Sequence, residues 1–227
     1  MFDTHKPPHD AYKRLKYYDD VLTARKRWSE FYMEKVWKVD DNKIASDITV
    51  LIPKDFSGSL LDVPIGTSVF TWETYKNLPS ARIVGLDYSQ TMLEMARQRF
   101  MENNITHVDL IQGDVEDLPF ENVTFDAVLS MNGLHTFQNK EKAFAEMFRV
   151  LKRGGWMCGC FYVKGERFPA DFLVATILNR KGLFRAPHYT KEEAIALLKS
   201  YYGENLWFET RMSMLLFKGI KTRNVCL

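Results

Sequence analysis

The feature that most constrains the fold is an alternation of short apolar runs with helical stretches between Ser59 and Val163. The apolar runs predict five strands, at residues 59–63, 82–87, 108–112, 125–131 and 155–163. Helical patterns lie between them, ending near Leu78 and covering residues 91–103 and 140–151. Alternation of this kind predicts a parallel sheet with helices on both faces, so we expect a doubly wound, Rossmann-like α/β fold.

The ends of the chain add a second expectation about the architecture. Residues 11–38 show an apolar stripe at helical spacing, and a short helix is predicted around residues 42–52, before Pro53. Two helices are predicted near residues 170–179 and 191–201, followed by strands at 206–211 and 214–221 that can pair as an antiparallel hairpin. The complete prediction is a mostly parallel, seven-stranded sheet.

Composition narrows the class of protein. The formal net charge is +2 and no basic stripe is present, which argues against a nucleic-acid binder. No run approaches the roughly 20 apolar residues of a membrane helix, and the first ten residues carry charges and prolines. Cys158 and Cys160 are predicted to share one strand face, a poor metal site by themselves. We expect a cytoplasmic protein with three reduced cysteines, no metal and no membrane partner.

Carboxylates follow three successive predicted strands, and this is where ligands bind in doubly wound sheets. Asp62 ends the first strand, Asp87 ends the second and Asp114 follows the third. Asp62 could face the ammonium of an amino-acid ligand, Asp87 could accept both ribose hydroxyls, and Asp114 could accept from an adenine amine, with Val115 donating its backbone N–H. Each carboxylate has a simpler alternative, which is to cap the following helix.

The loop after the first strand carries small residues that leave room for a ligand. Gly66 and Thr67 precede a predicted helix, where backbone N–H groups can meet a bound molecule. Met92, Met131 and Leu134 could supply apolar contact to such a ligand. Gly66 could also be only a turn residue, and Met92 could equally be a core residue.

Five ordered blocks resemble the class I S-adenosylmethionine (SAM)-dependent methyltransferases, most closely the group that includes the quinone-biosynthesis C-methyltransferases. The blocks read LLDVPIGTS, IVGLDYSQTMLEMAR, LIQGDVEDLPF, FDAVLSMNGLHTF and FAEMFRVLKRGGWM. They cover nearly half of the chain in the family's order and spacing. The resemblance implies a SAM-binding enzyme that transfers a methyl group.

The family's cofactor-binding roles transfer to the matching positions, in four groups. The resemblance assigns the methionine-binding loop to Asp62, Gly66 and Thr67, and the ribose to Asp87 with Tyr88 beside it. It assigns the adenine to Asp114 and Val115, and the end of the fourth strand, where it meets the cofactor, to Ser130, Met131 and Asn132. Pro64 and Met92 complete the predicted cofactor-binding set. The sequence departs from the family at Pro64 and Ser68, which replace the first and third glycines of the loop, and at Arg153, which replaces a common proline. Pro64 removes one backbone donor.

The acceptor side is less defined. His135 and His188 are candidate general bases, although each could instead be structural. Residues 1–58 are predicted to form an N-terminal helical cap, and residues 59–227 a SAM-binding methyltransferase domain with an acceptor-side insertion at 165–200, all in one compact unit. Aromatic residues in both the cap and the insertion favour a small-molecule acceptor.

Two alternatives to a methyltransferase remain open. One is a SAM-binding regulatory protein without methyl transfer, which the altered loop permits. The other is an NAD-dependent oxidoreductase, which would require G-x-G-x-x-G directly after the first strand, a motif that this loop lacks.

Overall fold

The computed structural model describes residues 40–222 as a seven-stranded sheet flanked by helices. The strands are β1 (Ser59–Asp62), β2 (Arg82–Asp87), β3 (Val108–Gln112), β4 (Phe125–Met131), β5 (Leu151–Tyr162), β6 (Leu206–Arg211) and β7 (Met214–Ile220). The helices are α1 (Asp41–Thr49), α2 (Trp72–Lys76), α3 (Gln90–Glu102), α4 (Lys140–Val150), α5 (Phe168–Leu173) and α6 (Lys191–Tyr202).

The sheet has the predicted topology. Its strand order is β3-β2-β1-β4-β5-β7-β6. Strands β1 to β5 are parallel, β7 is antiparallel to β5, and β6 is antiparallel to β7. The prediction of a mostly parallel seven-stranded sheet with a C-terminal hairpin is therefore confirmed. The strands after β1 are added first on one side of it, as β2 and β3, and then on the other side, beginning with β4. The strand order therefore reverses at β1, and the ligand crevice of such sheets opens at that point.

Local sequence explains why these elements form. The central strands are apolar and buried almost throughout, as expected for strands covered on both faces. Helix α3 begins after Ser89, whose side chain accepts from the Met92 N–H, and α6 begins with a capping box between Thr190 and Glu193. Hydroxyl and carboxylate groups thus satisfy backbone donors that a helix start leaves unpaired.

Two hydrophobic cores lie on opposite faces of the sheet. On one face, helices α1 and α3 pack over Cys158 and Cys160, which share a side of β5 as predicted. On the other face, α4 and α6 pack over Met157 and Phe161. Both cysteines are buried free thiols, and burial raises the pKa of Cys160 to about 12. The third cysteine, Cys226, lies outside the described residues.

The element boundaries differ most from the prediction at two places. Strand β5 begins at Leu151 instead of residue 155, because Leu151 already pairs with Phe125 before the register shifts. Helix α5 is shorter than the helix predicted near 170–179, and it continues as a π-helical turn at Val174–Leu178. The predicted helix at residues 11–38 lies outside the described residues. Between residues 40 and 222, no helix has the length and apolar character needed to cross a membrane.

The insertion at 165–200 is attached to the end of β5 by specific contacts. The Tyr162 hydroxyl donates to Asp171 Oδ1 at 2.5 Å, and Lys164 bridges to Thr190. The backbone N–H of Arg185 donates to the carbonyl of His135 at 2.9 Å. These contacts place the segment around Arg185 beside the chain that leaves β4.

Candidate active site

A cavity opens at the carboxyl ends of β1, β2, β3 and β4. Its volume is about 210 Å³, far above the roughly 10–15 Å³ that a single water molecule needs. The lining residues come from the loop after β1, the ends of β2 and β4, the turn after β3 and the insertion. The cavity therefore lies where a doubly wound sheet binds its ligand.

The loop after β1 is held by hydrogen bonds to β2. The Ile65 N–H donates to the carbonyl of Leu86 at 3.0 Å, and the Gly66 N–H donates to Asp87 Oδ2 at 2.9 Å. Gly66 has a φ of +55°, a left-handed conformation that glycine adopts without steric cost. A Cβ on Gly85 would come within 2.2 Å of the Ile65 side chain, so glycine in β2 lets this loop pack closely.

Asp87 lines the cavity and does not cap α3. Its second oxygen, Oδ1, accepts from the Ser89 N–H at 2.8 Å, while the Ser89 side chain caps the helix. The side chain is buried, and burial raises the pKa of Asp87 to about 6, with the backbone donors of Ser89 and Gly66 opposing the shift. The geometry leaves this carboxylate at the cavity and disfavours the helix-cap alternative.

Asp62 lies at the end of β1 inside a small network of hydroxyl groups. Its Oδ2 accepts from the Tyr75 hydroxyl at 2.6 Å and from Thr71 Oγ1 at 3.5 Å. Thr71 is in turn 2.7 Å from the hydroxyl of Ser68. The serine that replaces the third family glycine thus joins the network that holds Asp62. Burial, with a smaller contribution from Asp87, raises the pKa of Asp62 to about 7, and the Tyr75 hydrogen bond opposes the shift.

Both raised pKa values link folding to pH. The folded protein holds the protons of Asp62 and Asp87 more tightly than the unfolded chain, in which the pKa of an aspartate is about 3.8. These two groups therefore lower the free energy of unfolding as the pH rises from about 4 to about 7. A cationic ligand beside Asp62 would reverse part of this cost by favouring the ionised form.

We expect Tyr75→Phe to destabilise the protein by about 1–3 kcal/mol, because it leaves a buried carboxylate without its shortest hydrogen bond. The same change should raise the pKa of Asp62 further, since the lost hydrogen bond lowers it. Urea denaturation at pH 6 and pH 8 measures both effects, and the destabilisation should be larger at pH 8. An equal loss at both pH values would show that the hydroxyl only fills space.

Asp114 and Val115 lie at the β3 side of the cavity. Asp114 is exposed and its Oδ1 accepts from the Glu116 N–H at 2.9 Å, whereas Val115 is buried. Asp114 thus closes a turn and caps none of the helices named above. Met92 also lines the cavity, from the first turn of α3.

The end of β4 contributes only part of the predicted set. Met131 and Asn132 line the cavity, but Ser130 does not. Side chains alternate along a strand, and Ser130 therefore faces away from Met131. Leu134 is buried and also lies off the cavity.

The remaining residues of the loop after β1 lie at the cavity. Pro64 and Thr67 line it together with Gly66, and Tyr88 lines it from the end of β2. The Pro64 ring packs against Gly133 and fills the space where a side chain would lie, since a Cβ on Gly133 would be 2.5 Å from Pro64 Cδ. Pro64 and Gly133 are thus packed as a pair.

Neither candidate histidine lies on the cavity. His135 is buried, its Nδ1 accepts from the Tyr162 N–H at 3.0 Å, and its ring packs 4.1 Å from that of Phe184. His188 pairs through Nε2 with Asn179 Oδ1 at 2.9 Å. Burial lowers the pKa of His135 to about 3 and that of His188 to about 4, so both are weak bases. The geometry favours structural roles for both.

The insertion meets the cavity through residues that sequence reasoning missed. Gly182 and Arg185 line it, whereas Phe172, Phe184 and Tyr189 do not. Phe172 is 59% exposed, and the other two pack on the hydrophobic cores. The chain after β4 also contributes lining residues that were not predicted, namely Thr136, Phe137 and Gln138.

Known proteins are similar to the part of the chain that contains the first four strands and most of the cavity residues. A family profile described as a methyltransferase domain matches residues 60–155. A demethylmenaquinone methyltransferase from Lactococcus lactis is 33% identical over 126 residues, which are 55% of this chain and 47% of that protein. The chain thus spans about half the length of this relative.

Solved structures share the fold at lower identity. The YcgJ protein from Bacillus subtilis aligns with a TM-score of 0.62 and 17% identity, over 79% of this chain and 98% of that one. Geranyl diphosphate methyltransferase in complex with SAM aligns with a TM-score of 0.64 and 15% identity, over 80% and 85%. The sequence blocks, the sheet topology and the domain match agree: residues 60–155 match a methyltransferase domain, and the fold is that of class I SAM-dependent methyltransferases.

Proposed function

We propose that this chain binds SAM in the cavity at the strand ends and transfers its methyl group to a small-molecule acceptor. The observation that carries the proposal is the convergence of Asp62, Asp87 and Asp114 on one cavity with the left-handed Gly66. Each carboxylate comes from a different strand end, so local helix capping does not account for their meeting. Their order across the neighbouring strands β1, β2 and β3 is the order of the amino acid, the ribose and the adenine in SAM.

Each residue has a definite task in this proposal. Ionised Asp62 attracts the ammonium of the methionine part, and Tyr75 keeps that carboxylate in place. Asp87 already accepts two backbone N–H groups, and the free lone pairs of its two oxygens can accept the ribose hydroxyls. Asp114 and Val115 lie where the adenine would be recognised. SAM supplies a methyl group on a sulfonium, and alignment with the acceptor is the main requirement for its transfer.

The acceptor is proposed to enter near Phe137, Gln138 and the insertion. These residues line the cavity from the chain after β4 and from the insertion, and none of them belongs to the predicted cofactor-binding set. The relative from Lactococcus lactis is named for a demethylated menaquinone, so quinols with a planar ring system are the first acceptors to test. Neither histidine reaches the cavity, and an acceptor that ionises readily would not need either of them as a base.

A SAM-binding protein without transfer is the second candidate. Pro64 removes one backbone donor from the loop, and neither predicted base lines the cavity. These two observations favour binding without turnover, and a transfer assay separates the two functions.

The test is transfer of a radiolabelled methyl group from SAM to a panel of quinols, phenols and small aromatic acids. We expect labelled product with at least one acceptor, and we expect Asp62→Ala and Asp87→Ala to lose most of it when the SAM concentration is near the wild-type Kd. Binding of S-adenosylhomocysteine without transfer to any acceptor would support the second candidate. Failure to bind either SAM or S-adenosylhomocysteine would contradict both.

A further inference from the structure

The cavity contains one basic side chain among the described residues that line it, Arg185. It also contains four acidic ones: Asp62, Asp87, Asp114 and Glu116. Each of the four carboxylates already accepts a hydrogen bond from a neighbour other than Arg185. Arg185 is paired with none of these four carboxylates, so its positive charge is available to a bound molecule.

The guanidinium of Arg185 makes no ion pair or side-chain hydrogen bond among residues 40–222. Its Nη2 is buried without a hydrogen-bond partner, and the side chain is only partly exposed. A buried donor left unpaired costs free energy that a bound acceptor would recover. Guanidinium groups pair with carboxylates and phosphates through two parallel hydrogen bonds.

The backbone of Arg185 is fixed on both sides. Its N–H donates to the carbonyl of His135 at 2.9 Å, and its carbonyl accepts from Lys140 Nζ at 2.6 Å. Lys140 also donates to the carbonyl of Phe137 at 3.2 Å, which ties this point of the insertion to the chain after β4. The cation is therefore held beside the cavity by the scaffold and does not depend on a flexible loop to reach it.

We propose that Arg185 is the oxyanion-binding residue of this cavity, and that it pairs with a carboxylate or phosphate of the bound molecules. This rests on the proposed function in one respect, that the cavity holds a cofactor and an acceptor. The oxyanion can come from either source: the amino-acid carboxylate of the cofactor, or an acidic group on the acceptor. Arg185 lines the cavity beside the chain that follows β4, because its carbonyl accepts from Lys140 Nζ.

Calorimetry with four probes distinguishes the two sources. S-adenosylhomocysteine carries the amino-acid carboxylate, and 5′-methylthioadenosine lacks it. Benzoate and phenyl phosphate, added to protein saturated with 5′-methylthioadenosine, test for an acidic acceptor. If the cofactor is the source, Arg185→Gln weakens S-adenosylhomocysteine at least tenfold and leaves 5′-methylthioadenosine unchanged. If the acceptor is the source, the same variant loses benzoate or phenyl phosphate at least tenfold.

Two variants serve as controls. Arg185→Lys keeps the charge and should retain most of the affinity for the affected probe. Lys181→Gln removes an exposed charge of the same insertion that does not line the cavity, and it should bind all probes as the wild type does. Circular dichroism spectra check that each variant is folded.

The proposal is overturned if folded Arg185→Gln binds S-adenosylhomocysteine, benzoate and phenyl phosphate within threefold of the wild type. Wild-type protein that fails to bind S-adenosylhomocysteine and 5′-methylthioadenosine contradicts the proposed function instead. The two failures are therefore distinguishable in the same set of titrations.

Discussion

Replacing Asp87 with alanine is expected to weaken S-adenosylhomocysteine binding by about 30- to 150-fold. Two ribose hydroxyls would lose a charged acceptor, and hydrogen bonds to charged groups contribute about 1.5–3 kcal/mol each without being additive, for a total of about 2–3 kcal/mol. The Gly66 N–H would also lose its partner, which loosens the loop after β1. Calorimetry at pH 8, where Asp87 with a pKa of about 6 is ionised, gives the largest difference.

Ser89→Ala is the matched control for this prediction. Ser89 caps α3 and lies next to Asp87 in space, so its loss should cost about 1 kcal/mol of stability with little effect on affinity. If Asp87→Ala binds as tightly as the wild type, the carboxylate serves only to hold Gly66 and Ser89. An equal affinity loss in both variants would point to a disturbed loop instead of a lost ligand contact.

The second large effect is the pH dependence of binding. The ammonium of S-adenosylhomocysteine needs an ionised Asp62, whose pKa in the free protein is about 7. Protonation of Asp62 should therefore weaken binding as the pH falls below 7, by about tenfold per unit and about 100-fold between pH 8 and pH 5. Protonation of Asp87 should add a further loss below about pH 6. Titrations at pH 5, 6, 7 and 8 measure the slope directly.

The control ligand for the pH series is 5′-methylthioadenosine, which has the ribose but no ammonium. Its affinity should fall only below about pH 6, where Asp87 becomes protonated. Tyr75→Phe should move the S-adenosylhomocysteine profile to higher pH, because it removes the hydrogen bond that lowers the pKa of Asp62. A flat profile for S-adenosylhomocysteine from pH 5 to pH 8 would mean that Asp62 does not meet the ammonium.

The strands could be predicted closely because they are buried on both faces and read as apolar runs. The bounds of β2, β3 and β4 agree with the prediction at both ends. The predicted start of β5 was wrong because the glycines at 154 and 155 interrupt the apolar run, whereas Leu151 already pairs with Phe125 before a register shift. The strand-end carboxylates were also found from the sequence, since parallel strands bring their carboxyl ends to one edge.

Contacts between distant parts of the chain could not be predicted. Tyr75 lies on α2 and donates a hydrogen bond to Asp62, which is 13 residues earlier in the chain. No local sequence pattern identifies a buried tyrosine as the donor to a particular carboxylate. Arg185 reaches the cavity only because Lys140 and His135 fix its backbone there. His135 looked like a candidate base because it follows β4, but tertiary packing against Phe184 buries it.

A crystal structure of the protein grown with S-adenosylhomocysteine tests the central claim most directly. We expect density in the cavity with the adenine against Asp114 and Val115, the ribose hydroxyls on Asp87, and the ammonium toward Asp62. Density for the ligand elsewhere, or a ribose that makes no contact with Asp87 in a crystal that contains the ligand, would contradict it.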